Sequence, residues 1–338
     1  MLCKDRARNL AVFALLGMVT GCSGESGEGG GAVSPTVHEK GLSAYVDSVA
    51  AAIPDEEDSG AYQAPDSEEL ESWAEAVRRL DAGEVASAER WLRDNLSTYR
   101  AARIEPPDGE GFAVIEPRNS EDNPGWGWVV VNNEARRPLV AEVPHPLFDR
   151  AALAEGALIF ADTEAQVLIV GGTHRCANQS DSPCQGKTTV CDGQQAPFRI
   201  SDMAHSPDSP FQTAHRVVMA ERPDRAAVSL HGNANPDCGD LFVSSGVSGT
   251  ATQRAQTLAE AVPESTGLEV SVESTEAECP LVGTTNLQGR LTNGSPKPCS
   301  EPAESASDRF LHLEQSLRLR EDHPSVVVDA LKAAVPMP

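Results

Sequence analysis

Apolar residues recur at threes and fours near the start of the chain, where Leu42, Tyr45, Val46 and Val49 share one helical face and Leu70, Trp73, Val77 and Leu80 share another. Asp81-Ala82-Gly83 interrupts the run, and Val85, Ala88, Trp91, Leu92 and Leu96 resume it, so residues 39–104 are expected as a helical segment built around a hairpin. From Glu105 the period shortens. Phe112–Ile115, Trp126–Val131 and Leu139–Val143 read as strands separated by Pro, Gly and Asn. Helical and extended patterns then alternate: Ala151–Ala161 helical, Val167–Val170 extended, Phe211–Ala220 helical, Ala226–His231 and Leu241–Val243 extended. Gln253–Val262 (helix), Leu268–Val272 (strand), Phe310–Glu314 (strand) and Val326–Val335 (helix) complete the series. Such alternation predicts a three-layer α/β sandwich on a mixed sheet over residues 105–338, preceded by the helical hairpin.

The two ends of the composition narrow the setting. Lys4, Arg6 and Arg8 precede an apolar stretch from Leu10 to Val19, the parts of a secretory signal over residues 1–21. That stretch is too short to span a bilayer stably. Val19-Thr20-Gly21-Cys22 resembles the bacterial lipobox, in which the signal is removed before the Cys and that Cys is acylated; an ordinary secretory signal is the competing reading. Residues 22–38 begin rich in Gly and Ser and are expected to tether a lipid-anchored domain outside the cytosol. Beyond Cys3 and Cys22, six cysteines remain: Cys176, Cys184, Cys191, Cys238, Cys279 and Cys299. An even number in an exported chain reads as a disulfide framework whose connectivity sequence alone leaves open. A zinc site built from the first three competes, although their spacing is looser than the usual C-x-x-C. A formal net charge of −24 argues against nucleic acid as a partner and is compatible with cationic ligands.

Two strands run into a histidine. Val140-Ala141-Glu142-Val143-Pro144-His145 is followed by Asp149 four positions on, and Ala226-Ala227-Val228-Ser229-Leu230-His231-Gly232 ends in the same way. In α/β sheets, sites form where the carboxyl ends of strands converge, so two imidazoles and an acid there are candidate ligands for Zn2+. In Phe310-Leu311-His312-Leu313-Glu314, alternation places Phe310, His312 and Glu314 on one face. Glu314 is then the candidate group for moving a proton from water to a leaving amine.

Pro144-His145 with Asp149, Ser229-Leu230-His231-Gly232, and Leu313-Glu314 together resemble the N-formylglutamate amidohydrolase family, which belongs with zinc carboxypeptidases and related deacylases. The resemblance runs from about Val140 to the C-terminus and implies a zinc carboxypeptidase-like fold with His145, Asp149 and His231 as metal ligands and Glu314 as general base. Pro146-Leu147 stands where the family has Ser-Gly, which leaves Glu155 on the following helix as an alternative acidic ligand. His231-Gly232-Asn233-Ala234-Asn235 is also similar to a segment of cell-wall amidases. The family places an Arg-containing and an Asp-rich segment between these anchors, which matches Arg175 and Asp202 as substrate-binding candidates, with His205 and His215 as further ones or as structural histidines. Arg290, with Asn293 behind it, is the expected partner of a substrate carboxylate, because a guanidinium pairs with one in two parallel contacts.

The combined expectation is an exported, lipid-anchored zinc amidohydrolase for an N-acyl amino acid or a peptide bearing a carboxylate. The rival is an envelope lipoprotein that keeps a hydrolase-like scaffold as a non-catalytic binding module.

Overall fold

Strands buried on both faces need apolar residues at nearly every position, and the longest such runs in this chain lie side by side. The computed structural model describes residues 34–106 and 111–338; the expected signal, Cys22 and most of the tether fall outside them. The chain enters through β1 (Thr36–His38) and α1 (Leu42–Ala50), forms the helical pair α2 (Ser67–Asp81) and α3 (Val85–Asn95), then lays down β2 (Tyr99–Ile104), β3 (Phe112–Pro117), β4 (Trp128–Val131) and β5 (Arg137–Val143). There follow α4 (Ala152–Asp162), β6 (Ala165–Val170), α5 (Pro210–Glu221), β7 (Ala226–Gly232), β8 (Leu241–Ser244), α6 (Gln253–Glu260) and β9 (Val270–Val272). The last elements are α7 (Leu287–Thr292), β10 (Phe310–Gln315), α8 (Leu317–Asp322) and α9 (Pro324–Ala334). Among the described residues no helix is long and apolar enough to cross a membrane.

Among the described residues ten strands form one mixed sheet in the order β1-β2-β3-β4-β6-β5-β7-β10-β8-β9. At its centre β6, β5, β7 and β10 are parallel, and the flanking β4 and β8 run against them. One face is covered by α1, α4, α6 and α9, which bury Leu42, Phe160, Leu258 and Leu331. The other is covered by α2, α3 and α5, which bury Trp73, Leu80, Leu92 and Phe211. This is the expected three-layer α/β sandwich on a mixed sheet.

The topology also creates a crevice. From β5 the chain crosses through α4 on one face to β6, and from β6 it crosses through α5 on the opposite face to β7, on the far side of β5. Connections that leave in opposite directions part the loops at the carboxyl ends of β5 and β7, the place where open α/β sheets bind ligands. Every anchor of the expected site sits at or beside that edge.

Two elements differ from expectation. Residues 36–38, expected in the tether, pair in parallel with β2, and His38 Nε2 lies 2.7 Å from Glu116 Oε1 on β3. The helical segment expected to 104 ends at Asn95, and Tyr99–Ile104 is strand β2. Both faces of β2 are covered, with Tyr99 and Ala101 in one core and Ala102 and Ile104 in the other, so its apolar spacing imitates threes and fours. The sheet consequently runs unbroken across the 104/105 boundary through the β2–β3 pairing.

The helical pair is fixed by α2, whose start carries a reciprocal cap: Asp66 Oδ1 accepts from the Glu69 N–H at 2.8 Å and Glu69 Oε2 from the Asp66 N–H at 2.9 Å. Trp73 stands edge-on to Tyr99 at 4.9 Å, and its Nε1–H donates to the Pro210 carbonyl at 2.9 Å. Trp73→Ala removes that buried ring and its hydrogen bond to Pro210, so it should lower unfolding free energy by about 3–5 kcal/mol in denaturant titration.

Candidate metal centre

Strand β5 ends at Val143, and the next residues turn once: the Asp149 N–H donates to the His145 carbonyl at 3.0 Å. That turn folds Asp149 back, without the glycine of the resembled family, until its Oδ2 lies 3.3 Å from His145 Nδ1. The same oxygen is 3.7 Å from His231 Nδ1 at the end of β7. The two rings stand edge to face, 5.1 Å between centroids. Three buried donor atoms from His145, Asp149 and His231 thus lie within 4.8 Å of one another across the crevice.

Each imidazole is held by its other nitrogen. His145 Nε2 lies 2.9 Å from Asp202 Oδ1, and His231 Nε2 lies 2.9 Å from Ser229 Oγ. Such outer partners orient metal-ligating histidines and select the tautomer. With Nε2–H donated to Ser229, His231 keeps a lone pair on Nδ1, and burial beside His312 and His145 holds its pKa well below the ordinary value. Burial and Arg175 oppose charge on His145, but Asp202 and Asp149 outweigh them and its pKa is raised.

Asp202 gathers the surrounding polar groups. Its Oδ2 receives Arg175 through Nε at 3.1 Å and through Nη2, and its Oδ1 lies 3.0 Å from His205 Nδ1. Burial would raise its pKa; Arg175, His205 and His145 together pull it well below the usual carboxylate range. The acid expected to bind substrate is therefore engaged with three of this chain's own side chains.

Strand β10 lies beside β7 with Glu314 in register with His231. Burial and the neighbouring Asp149 push the Glu314 carboxyl well above its ordinary pKa, with Arg175 and Arg320 opposing. His312, two residues earlier on the same face, has its ring 4.6 Å from that of His231 and its Nε2 3.7 Å from Glu314 Oε1. Sequence reasoning placed His312 on the face of Glu314 and assigned it nothing; the alternation of β10 was the available signal.

These groups open into a cavity of about 380 Å³ whose lining includes His145, Arg175, His205, His231, His312 and Glu314. One wall is the connection 171–209 and the other the connection 273–286. His205 Nε2 joins them, 3.1 Å from Thr285 Oγ1. All six remaining cysteines are disulfide-bonded, as Cys176–Cys191, Cys184–Cys299 and Cys238–Cys279, so the walls are stapled and the competing three-cysteine zinc site does not form. The pairing also uses up Cys176, which otherwise lies near Glu57 and His174. Exposed Lys187 lines the mouth and forms no ion pair among the described residues.

Four expected residues lie elsewhere. Glu155 on α4 approaches the sheet from the opposite face, and its Oε2 accepts from Gln315 Nε2 at 2.9 Å. His215 Nδ1 lies 2.5 Å from Glu142 Oε1 and its Nε2 3.0 Å from Thr292 Oγ1, a bridge between β5, α5 and α7 whose imidazole and carboxyl are fully buried. Arg290 donates to the carbonyls of Thr284 at 2.6 Å and Pro298 at 3.0 Å, so its guanidinium braces a wall and does not line the cavity. Asn293 donates to the Ser245 carbonyl at 2.7 Å and accepts from the Ser307 N–H at 2.7 Å. Buried donors and acceptors must be paired, and the loops that lack regular structure take these side chains for that purpose.

No family model matches the chain, and no curated protein does. Among solved structures it is similar to the N-formylglutamate amidohydrolase of Ralstonia eutropha JMP134, at 13% identity and a TM-score of 0.35 over 61% of this chain and 96% of that one. It is also similar to a metallo-carboxypeptidase of Burkholderia cenocepacia, at 11% identity and a TM-score of 0.34 over 81% of this chain and 69% of that one. A metallo-carboxypeptidase of Pseudomonas aeruginosa, solved in complex with (2-guanidinoethylmercapto)succinic acid, aligns at 12% identity and a TM-score of 0.31 over 67% of this chain and 60% of that one. At these values the likeness is distant.

Burial pushes the Glu155 carboxyl up to about 7 against the opposing Gln315 hydrogen bond and Arg320. Between the ordinary carboxyl value and about 7, the unfolded chain has released a proton that the folded chain retains, so this group makes stability fall as pH rises through that window. Glu155→Gln should flatten that part of the stability-against-pH curve while leaving zinc affinity unchanged, as read by thermal melts and zinc titration. A loss of zinc affinity would return Glu155 to the ligand set.

Proposed function

We propose that this chain is an exported, lipid-anchored, zinc-dependent amidohydrolase that cleaves the amide bond of an N-acyl amino acid or a cell-wall peptide. The observation that carries the reading is the buried His145–Asp149–His231 donor set at the topological crevice, with Glu314 in register beside it. Two imidazole nitrogens and one carboxylate oxygen, each imidazole held through its far nitrogen, fit the chemistry of a catalytic zinc site that keeps a position open. When bound, such a cation supplies Lewis acidity, polarising a carbonyl and acidifying water.

The remaining work belongs to the chain. Glu314, in register beside the donor set, takes a proton from the attacking water and passes it to the leaving amine. Asp202 keeps the His145 ring in place and holds Arg175 at the cavity wall. Substrate recognition falls to the cations that the structure leaves at the cavity. Arg290 is occupied by carbonyls and Arg175 holds Asp202 through Nε and Nη2, so Lys187, which forms no ion pair among the described residues, is the cation we assign to a substrate carboxylate. The leader and Cys22 supply the sequence argument for export, and the three disulfides agree with an oxidising compartment.

Zinc at a hundredfold excess over its Kd should stabilise the folded chain by about 2.7 kcal/mol, visible as a rise in Tm. Absence of any zinc-dependent shift would leave the binding-module reading in its place. Glu314→Gln should abolish turnover of N-acyl amino acids or muropeptides with one zinc still bound; retained turnover would remove Glu314 from proton transfer. Lys187→Ala should raise KM for a substrate with a free carboxylate several-fold and leave kcat and zinc content unchanged, and equal effects on the amidated substrate would refute a carboxylate contact.

A further inference from the structure

The short strand β1 has no part in the metal centre, yet it is held firmly in place. His38 Nε2 lies 2.7 Å from Glu116 Oε1 on β3, and the Tyr45 hydroxyl on α1 donates to Glu116 Oε2 at 2.6 Å. Arg100 on β2 donates its Nε–H to Oε1 at 2.7 Å. Glu116 is only 5% exposed, so one buried carboxylate draws together side chains from β1, α1 and β2. Beside it lies a cavity of about 220 Å³ that shares no lining residue with the cavity of the metal centre.

The lining is cationic, in a chain whose formal net charge is −24. Lys40, Arg100 and Arg118 all line the cavity, and Glu116 is its one carboxylate. Lys40 Nζ is held by Ser48 Oγ at 2.9 Å and makes no ion pair among the described residues. Arg100 uses only Nε on Glu116, and its two terminal nitrogens have no hydrogen-bond partner among the described residues. Arg118 is tied back to Glu89 and to the carbonyls of Ser97 and Tyr99 through Nη2 and Nε, which leaves Nη1. Glu116 and Glu89 offset one guanidinium each, so Lys40 is the charge in excess. A carboxylate that needs only neutralising is met by one guanidinium in close packing. A cavity ringed by unpaired cationic donors is the form of an anion receptor.

We propose that this cavity binds a phosphate group, at a site separate from the metal centre. Its cations come from three places in the chain: the segment after β1, strand β2, and the segment after β3. Donors that converge from several sides suit a tetrahedral anion, with arginine as a fork and lysine as a point charge. Glu116 orients Arg100, and the terminal nitrogens of Arg100 together with Lys40 Nζ are the donors to the ligand. Two sources present this chemistry, a free phosphate monoester and the phosphodiester headgroup of a phospholipid. The second rests on the lipid anchor proposed above, since β1 stands at the end of the expected tether.

Calorimetric titration of the chain, dialysed against EDTA so that no metal competes for the probe, tests this. The probes are glycerol 3-phosphate, a monoester, and dihexanoylphosphatidylglycerol below its micelle concentration, a diester. One equivalent of at least one probe should bind, and the tighter probe identifies the source. Lys40→Gln/Arg100→Gln should weaken that binding at least tenfold, and Lys187→Ala at the other cavity should leave it unchanged. Lys40→Gln alone leaves every contact of Glu116 intact and should weaken binding several-fold, which keeps the test decisive if circular dichroism shows the double variant unfolded. Binding of neither probe, binding unchanged in Lys40→Gln, binding lost in Lys187→Ala, or acetate competing as well as the phosphate probe overturns the site. Each of these outcomes leaves the metal centre untouched, because zinc titration decides that reading separately.

Discussion

The position of Asp149 between two imidazoles depends on one constraint, the opposite departure of α4 and α5 from the centre of the sheet. Because β5 is flanked by β6 on one side and β7 on the other, its outgoing loop and that of β7 cannot cover each other, and an open edge results. His145 and His231 are the first side chains at that edge able to bind a cation, and a single backbone turn of residues 145–149 is enough to bring the acid between them. Glu314 arrives by a different rule. β10 pairs in parallel with β7 in a fixed register, so the residue opposite His231 is set by the ladder and not by a loop. Strand-borne groups are placed more precisely than loop-borne ones.

Concentrating titratable groups in an apolar interior requires each to be partnered, and Asp202 shows how the chain meets that demand. It accepts from Arg175 and lies within hydrogen-bond reach of His145 and His205, so one carboxylate balances the positive charge around it. The pairing orients His145 and holds Arg175 at the cavity wall. A buried ion pair of this kind specifies an arrangement more than it stabilises the fold, since desolvation offsets much of the attraction. The cluster is therefore best understood as a positioning device whose members act through one another.

Much of the scaffold is legible in the sequence because its cause is local. The period of two in Phe310–Glu314 puts His312 and Glu314 on one face, and the apolar runs before His145 and His231 mark strands covered on both sides. What escapes is what tertiary pairing decides. Arg290 has the composition of a carboxylate receptor, yet the carbonyls of Thr284 and Pro298 take its guanidinium, and nothing in its neighbours announces that. Glu155 sits at a helical spacing that could face the His145–Asp149–His231 donor set, but α4 packs on the other side of the sheet. Tyr99–Ile104 looks helical because a strand buried on both faces loses its alternation. In each case the sequence specifies the residue's chemistry and the packing decides its partner.

The walls of the cavity raise a separate problem, since residues 171–209 and 273–286 are long connections with little regular structure of their own. Loops of that length in a folded domain are commonly functional, and they must be held by something other than ladders. Here the means is covalent: Cys176–Cys191 closes the first wall on itself, Cys184–Cys299 ties it to the segment after α7, and Cys238–Cys279 anchors the second. Cross-links of this span restrict the unfolded chain by about 3 kcal/mol or more each in the chain-entropy model. Lys187 lies between Cys184 and Cys191, so its place at the cavity depends on two of those bonds.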